Sequence, residues 1–252
     1  LHREEIKMAE ALKRPGGELA SRPLHFFWVV DCSGSMYGEK IGTVNHAIQS
    51  TIPEMVDAAK DNPNAQLLVR TLKFSTGATW VTPTPVNVED FAWDDLDAGG
   101  VTDLGKAFEM LAAQLTIPPM SDRALPPVIV LLSDGQPTDD YKSALDRLLH
   151  LPWGKKAVRI AISIGQDADD DVLQQFTGNS ELVLQANNPQ ALVKMIKWAS
   201  TAASLVSAPA SRPKDMDELP EANDAPNATN APLVLDMNNI PDPGSVGAND
   251  VW

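Results

Sequence analysis

A chain of 252 residues with a net charge of −14 is long enough to enclose one full hydrophobic core and too acidic for a nucleic-acid backbone to be a natural partner. Its one cysteine excludes a disulfide within the chain and fits a reducing compartment. No run approaches the roughly 18 consecutive apolar residues of a membrane span, and the charged opening stretch LHREEIKMAEALKRPGG lacks the apolar centre of a secretory signal, so a cytoplasmic location is expected.

Residues 1–23 read as an arm, in which Ile6, Met8, Ala9 and Leu12 stand among charges and allow at most a short helix before Pro15-Gly16-Gly17. The run Leu24 to Val30 (LHFFWVV) is aromatic and β-branched and predicts a buried strand. It delivers Asp31-Cys32-Ser33-Gly34-Ser35-Met36 at its carboxyl end, which is where open α/β sheets bind ligands. Asp31, Ser33 and Ser35 alternate, so three oxygen groups fall within one turn, and Gly34 permits the tight path. Hard divalent cations take oxygen ligands of this kind. Turn and cap formation is the competing structural explanation of the two serines. Cys32 is expected to point away from the pocket as a small buried filler, with a redox-sensing thiol as the alternative.

From Ile41 onward Val44, Ile48, Ile52, Met55, Val56 and Ala59 recur at helical spacing. Pro53 predicts a kink or break near Ser50 to Ile52, and Asn62-Pro63 closes the helix. Residues 66–74 and 78–82 around Ser75-Thr76-Gly77 predict a hairpin. Residues 83–98 read as a connector anchored by Phe91, Trp93 and Leu96; alternatively, Trp80 and Trp93 form an exposed binding surface. The loop Gly99 to Gly105 presents Thr102 and enters a helix marked by Leu104, Ala107, Phe108, Leu111 and Leu115, which Pro118-Pro119 stops. The positive amino end of that helix would oppose a bare cation and help to recruit an acidic partner group.

Val128 to Leu132 predicts a second buried strand, ending in Ser133-Asp134-Gly135. A helix over 138–149 follows, entered through Asp139 or Asp140, then a strand over 156–164, a short helix over 169–176 and a short strand over 182–184. The last helix, 189–203, places Leu192, Ile196, Ala199 and Ala203 on one face. The alternation predicts a doubly wound, mainly parallel α/β sheet with one antiparallel edge strand, in a domain over 24–206. Residues 207–252 hold seven prolines and eight acidic residues against two basic ones, too little apolar surface to offset ordering entropy, so a disordered tail is expected. Within it Pro232-Leu233-Val234-Leu235-Asp236-Met237-Asn238-Asn239-Ile240 reads as a short docking motif, with a purely solubilising tail as the alternative, and a fold-back that brings Asp236 to the pocket is one use for the motif.

Asp-x-Ser-x-Ser, then Thr, then Asp, each at the end or start of the expected element, resembles the metal-ion-dependent adhesion site of von Willebrand factor A (vWA) domains over about residues 24–204. The resemblance implies a Rossmann-like vWA fold in which Asp31, Ser33, Ser35, Thr102 and, through water, Asp134 hold Mg²⁺ or Mn²⁺ and leave one position for an acidic residue of a protein partner. Gly38-Glu39-Lys40-Ile41, Val44-Asn45 and Gln136-Pro137-Thr138-Asp139-Asp140 are similar to the bacterial tellurium-resistance-associated (TerY-like) group. That group is often encoded beside a PP2C-type phosphatase and a serine/threonine kinase and is linked to stress response or conflict with phage. The arm and the acidic tail fall outside its pattern.

The implied function is a metal-dependent protein-interaction adaptor, not an enzyme, with neither nucleic acid nor membrane as partner. Two other functions are open. An adaptor of a MoxR- or chelatase-type AAA+ ATPase predicts the same site with a different partner. A Mg²⁺-dependent phosphohydrolase would suit Asp31 and Asp134 at adjacent strand ends, but no P-loop follows a strand, no Asp-x-Asp pair follows the first one, and hydroxyls stand where a general base is needed. His2, His25, His46 and His150 lie far from the motif in sequence and read as structural or surface residues.

Overall fold

A computed structural model describes residues 21–207 except Pro63, Gly135 and Asp167, with backbone alone for 202–207. The expected amino-terminal arm and the tail with its 232–240 motif lie outside the described residues. Among the described residues seven strands form one sheet: β1 (Arg22–Asp31), β2 (Ala65–Ser75), β3 (Gly77–Trp80), β4 (Val86–Asn87), β5 (Val128–Ser133), β6 (Val158–Ile164) and β7 (Val183–Ala186). Six α-helices among the described residues accompany them: α1 (Glu39–Lys60), α2 (Leu104–Gln114), α3 (Tyr141–His150), α4 (Pro152–Lys156), α5 (Asp170–Thr177) and α6 (Pro189–Ser207).

The strands lie in the order β3-β2-β1-β5-β6-β7, and β4 also pairs with β2. From β2 to β7 the pairs are parallel, while β3 and β4 both run antiparallel to β2. The expected antiparallel edge strand is therefore β3, with β4 as a second short antiparallel partner.

β1 reads as a continuous apolar run because both faces of the sheet are covered. Phe26, Trp28 and Val30 belong to one buried cluster together with Ile48 and Met55 of α1 and Leu192 and Ile196 of α6. Phe27 and Val29 belong to the other, with Phe108 of α2, Leu145 of α3 and Phe176 of α5. Each such large side chain contributes about 1.5–3 kcal/mol by leaving water. Cys32 is buried within the first cluster, as a small filler would be.

Phe91, Trp93 and Leu96 anchor the connector to the core as expected; two expectations change and one alternative drops out. The break at Pro53 does not occur: α1 runs from Glu39 to Lys60 with Pro53 inside it. Ile48, Thr51 and Met55 are all buried on either side of the proline, so tertiary packing holds both halves and outweighs the roughly 3 kcal/mol that an internal proline costs. Trp93 is not part of an exposed surface; it is 8% exposed, and its indole N–H donates to Asn45 Oδ1 at 3.1 Å. Helix α3 starts at Tyr141 rather than at 138, because Asp140 is its N-cap and its Oδ2 accepts from the Ser143 hydroxyl at 2.9 Å.

The candidate metal site

Parallel pairing decides which residues meet at the carboxyl edge. The register sets Asp31 beside Phe74 of β2, Val30 beside Leu132 of β5, and Ser133 beside Ser163 of β6. The turns that leave β1 and β5 therefore open side by side, and the loop before α2 is drawn between them. Gly99 N donates to Cys32 O at 2.7 Å, Gly34 N donates to Gly100 O at 3.0 Å, and Asp103 N donates to Ser75 O at 2.9 Å. Gly100 has φ +88°, and a Cβ there would come within 2.5 Å of Thr76 Oγ1, so only glycine lets this loop lie so close.

On this frame Asp31 is fully buried. Its Oδ1 accepts from Ser33 N at 2.8 Å, and its Oδ2 accepts from the Ser133 hydroxyl at 2.6 Å. The hydroxyls of Ser33 and Ser35 lie 3.0 Å apart. Thr102 is buried and cross-linked to the loop after β5: its N–H donates to Thr138 Oγ1 at 3.1 Å, and its carbonyl accepts from Thr138 N at 2.8 Å. Asp134 is 4% exposed, and its Oδ1 is buried with no hydrogen-bond partner among the described residues.

Burial pushes the Asp31 carboxyl up to about 6, against the hydrogen bonds from Ser133 and Ser33, and the Asp134 charge pushes in the same direction as burial. Burial, followed by the Asp31 charge, pushes the Cys32 thiol up to about 12, which keeps it protonated and unreactive. The structure thus gathers Asp31, Ser33 and Ser35 by direct hydrogen bonds, brings Asp134 within electrostatic reach of Asp31, and ties Thr102 to the same rim through the backbone of both neighbouring loops.

Two roles were not foreseen. Ser133 orients the second oxygen of Asp31, although it reads in the sequence as the last residue of a strand. Asp139 and Asp140 both read as entries to the next helix; Asp140 takes that place, while the Asp139 carboxylate accepts from Gly105 N at 2.9 Å and Lys106 N at 3.1 Å and so caps α2 from 34 residues away. The amino end of α2 already holds an anion, and those two N–H groups do not greet an incoming carboxylate as the helix dipole suggested. Asp103, the N-cap by position, turns instead to Gly77 N at 2.7 Å.

All the donors are oxygens: two carboxylates and three hydroxyls. Among the described residues no group of three or more His, Cys, Asp and Glu gathers as a metal cluster, as follows when hydroxyls supply most of a site. A buried carboxylate oxygen with no donor among the described residues, beside a second buried carboxylate, fits a hard cation. The residues present therefore suit a hard divalent cation.

A mainly parallel α/β sheet with an oxygen-lined pocket at its carboxyl edge defines a class of ligand-binding domain. Within that class, the family model for the von Willebrand factor type A domain matches residues 27–198, well over half of the chain, and the protein belongs to that family. No curated protein sequence matches it.

Solved structures share the fold. The ArnB paralog VWA2 from Sulfolobus acidocaldarius is 21% identical with a TM-score of 0.53 and covers 71% of this chain and 45% of its own. The open conformation of the pilus adhesin SpaC from Lactobacillus rhamnosus GG is 15% identical with a TM-score of 0.57, covering 71% and 30%. Proximal thread matrix protein 1 from the mussel byssus, a structure with a zinc-occupied MIDAS motif, is 16% identical with a TM-score of 0.55, covering 73% and 48%. At these identities the likeness is one of fold alone, and this chain spans less than half the length of each. No helix among the described residues is long and apolar enough to cross a membrane.

Proposed function

We propose that this vWA domain is a metal-dependent protein-interaction module and not a catalyst. Asp31, Ser33, Ser35, Thr102 and, through water, Asp134 hold Mg²⁺ or Mn²⁺, and an Asp or Glu of a protein partner fills the remaining position. The observation that carries this reading is the buried Oδ1 of Asp134, without a partner among the described residues, beside the buried Asp31 carboxylate. Leaving such an oxygen without a donor costs about 1–3 kcal/mol, and a cation or its bound water removes that cost. The ion supplies a positive centre that is still able to take another anionic oxygen, because hydroxyls make up most of the set.

The chain's own residues do the positioning. Ser33 N and the Ser133 hydroxyl fix the two oxygens of Asp31, and the Thr138 pair holds the Thr102 loop at the rim. None of the histidines lies in the motif, and none of the five side chains is placed as a general base, which supports binding over hydrolysis. The resemblance of Gly38-Glu39-Lys40-Ile41, Val44-Asn45 and Gln136 to Asp140 to the tellurium-resistance-associated group supports, as part of this proposal, a module of the bacterial cytoplasm that works with a serine/threonine kinase and a PP2C-type phosphatase in stress response or phage defence.

Affinity purification on the full chain, with Mg²⁺ and with EDTA, tests the reading. The expected result is a partner held by the wild type in Mg²⁺ and lost both in EDTA and with a folded Asp31→Ala variant. A partner retained through both changes would overturn it.

A further inference from the structure

The parallel register lines up a row of polar side chains along the carboxyl edge. Val30 pairs with Leu132, so Asp31 on β1 and Ser133 on β5, one residue further, lie side by side. Ser133 pairs with Ser163 on β6, and Ser163 pairs with Gln185 on β7. Neighbours in such a row share one face of the sheet, here the face that carries Phe27 and Val29 beneath α2, α3 and α5. The row is joined in two halves. Ser133 gives its hydroxyl hydrogen to Asp31. Ser163, fully buried, turns the other way: its hydroxyl donates to Asp170 Oδ1 at 2.7 Å, and Gln185 Nε2 donates to Asp170 Oδ2. Asp170 is half-buried and is the first residue of α5, so a different strand holds each of its oxygens.

That grip also places the residue before it. Asp169 N donates to Asp134 O at 2.7 Å. The Asp169 side chain makes no capping bond of its own, so the position of this N–H follows the backbone that runs into Asp170. On the receiving side, Asp134 Oδ1 has no partner among the described residues, so the direction of that carboxylate follows its own backbone. The two segments meet in this one hydrogen bond. We propose that Asp170 is a positioning residue for the candidate metal site: through Ser163 and Gln185 it pins the start of α5, whose N-cap N–H holds the Asp134 backbone and with it the carboxylate at the pocket. The proposal rests on the metal reading above.

An anchor for α5 alone is the competing explanation, and it predicts lost stability with no change at the pocket. A charge acting at a distance is another, because a carboxylate near the site attracts a cation whether or not it is bonded to anything. Asp171 separates these effects from positioning. It carries the same charge in the same first turn of α5, it is exposed, and its side chain has no hydrogen bond or ion pair among the described residues.

The test is the Mn²⁺ affinity of the full chain, read by electron paramagnetic resonance titration at a temperature where circular dichroism shows each variant folded. Asp170→Ala should bind Mn²⁺ about ten-fold more weakly than the wild type. Asp170→Asn should stay within about two-fold of it, because the amide accepts from Ser163 and donates to the Gln185 carbonyl once that side chain turns over. Asp171→Ala should match the wild type. Ser163→Ala, which removes one of the two bonds and little volume, should bind about three-fold more weakly. Folded Asp170→Ala and Ser163→Ala chains with wild-type affinity would overturn the positioning role and leave the metal site standing. Equal weakening in Asp170→Ala and either Asp170→Asn or Asp171→Ala would overturn it in favour of charge alone. If Asp170→Ala does not fold, Ser163→Ala decides by the same criterion. Absence of Mn²⁺ binding in the wild type would instead remove the metal reading and the positioning role with it.

Discussion

Arg70 on β2 and the Asp31–Asp134 pair at the carboxyl edge are both charged groups taken out of water, and their surroundings differ in kind. The guanidinium of Arg70 donates to Thr82 O at 2.9 Å, to Gln114 Oε1 at 2.7 Å and to Pro83 O, and it lies 3.8 Å from the centre of the Trp80 ring. Its donors point at acceptors in the chain itself, and a cation–π contact covers its face. At the rim two carboxylates are buried within reach of each other, and one oxygen of Asp134 has no partner among the described residues. The first arrangement is complete without any ligand. The second leaves that oxygen open among the described residues, at the place the proposed cation would take, which contrasts a charge that builds the fold with charges that the fold presents.

The sharpest way to break this contrast is at Arg70. Arg70→Met leaves three acceptors unpaired and should cost about 4 kcal/mol in urea denaturation, with no dependence on Mg²⁺. A Mg²⁺-dependent loss would mean that the two regions are coupled.

Next in size is His25, buried near Arg70. Burial, then the Arg70 charge, lowers its pKa from 6.5 to about 4. The unfolded chain therefore takes up the proton first as pH falls, and the stability present above the ordinary value is lost as pH drops through about 4. The loss should reach about 3 kcal/mol, and His25→Gln should remove most of that slope in urea midpoints measured across this range.

A smaller effect of opposite sign is expected at Asp31. Its carboxyl is raised from 3.8 to about 6, so the stability it contributes below the ordinary value is lost as pH rises through about 6. In EDTA near neutral pH, Asp31→Asn should therefore stabilise the chain by about 2 kcal/mol, because the amide oxygen still accepts from Ser33 N and the amide N–H can donate to the Ser133 hydroxyl oxygen, without the charge. A destabilised variant would show that the ionised form suits its site without a cation. The smallest effect is at Asp139: Asp139→Ala removes the acceptor for Gly105 N and Lys106 N and should cost about 1 kcal/mol in thermal unfolding.

The parts of this molecule that can be read from the chain are those written in short-range patterns. LHFFWVV and VIVLL announce central strands because residues buried on both faces have no polar alternation, and Gly77 with φ +79° marks the hairpin turn. The five oxygen-bearing residues stand out because each lies where a strand ends or a helix begins. What stayed hidden depends on partners distant in sequence. Pro53 sits within an unbroken helix because of its buried neighbours, which local propensity does not register. Asp139 caps a helix that is not its own, and Ser133 acts on a carboxylate 102 residues earlier. β4 is two residues long and α4 five, too short for any period to show.

The central claim is that the carboxyl-edge pocket takes a divalent cation, and calorimetric titration of the full chain with Mg²⁺ tests it most directly. The account predicts one ion per chain, with affinity reduced about ten-fold or more in both Asp134→Ala and Thr102→Ala. A wild-type chain that takes up no ion, or variants that bind it as tightly as the wild type, would contradict it.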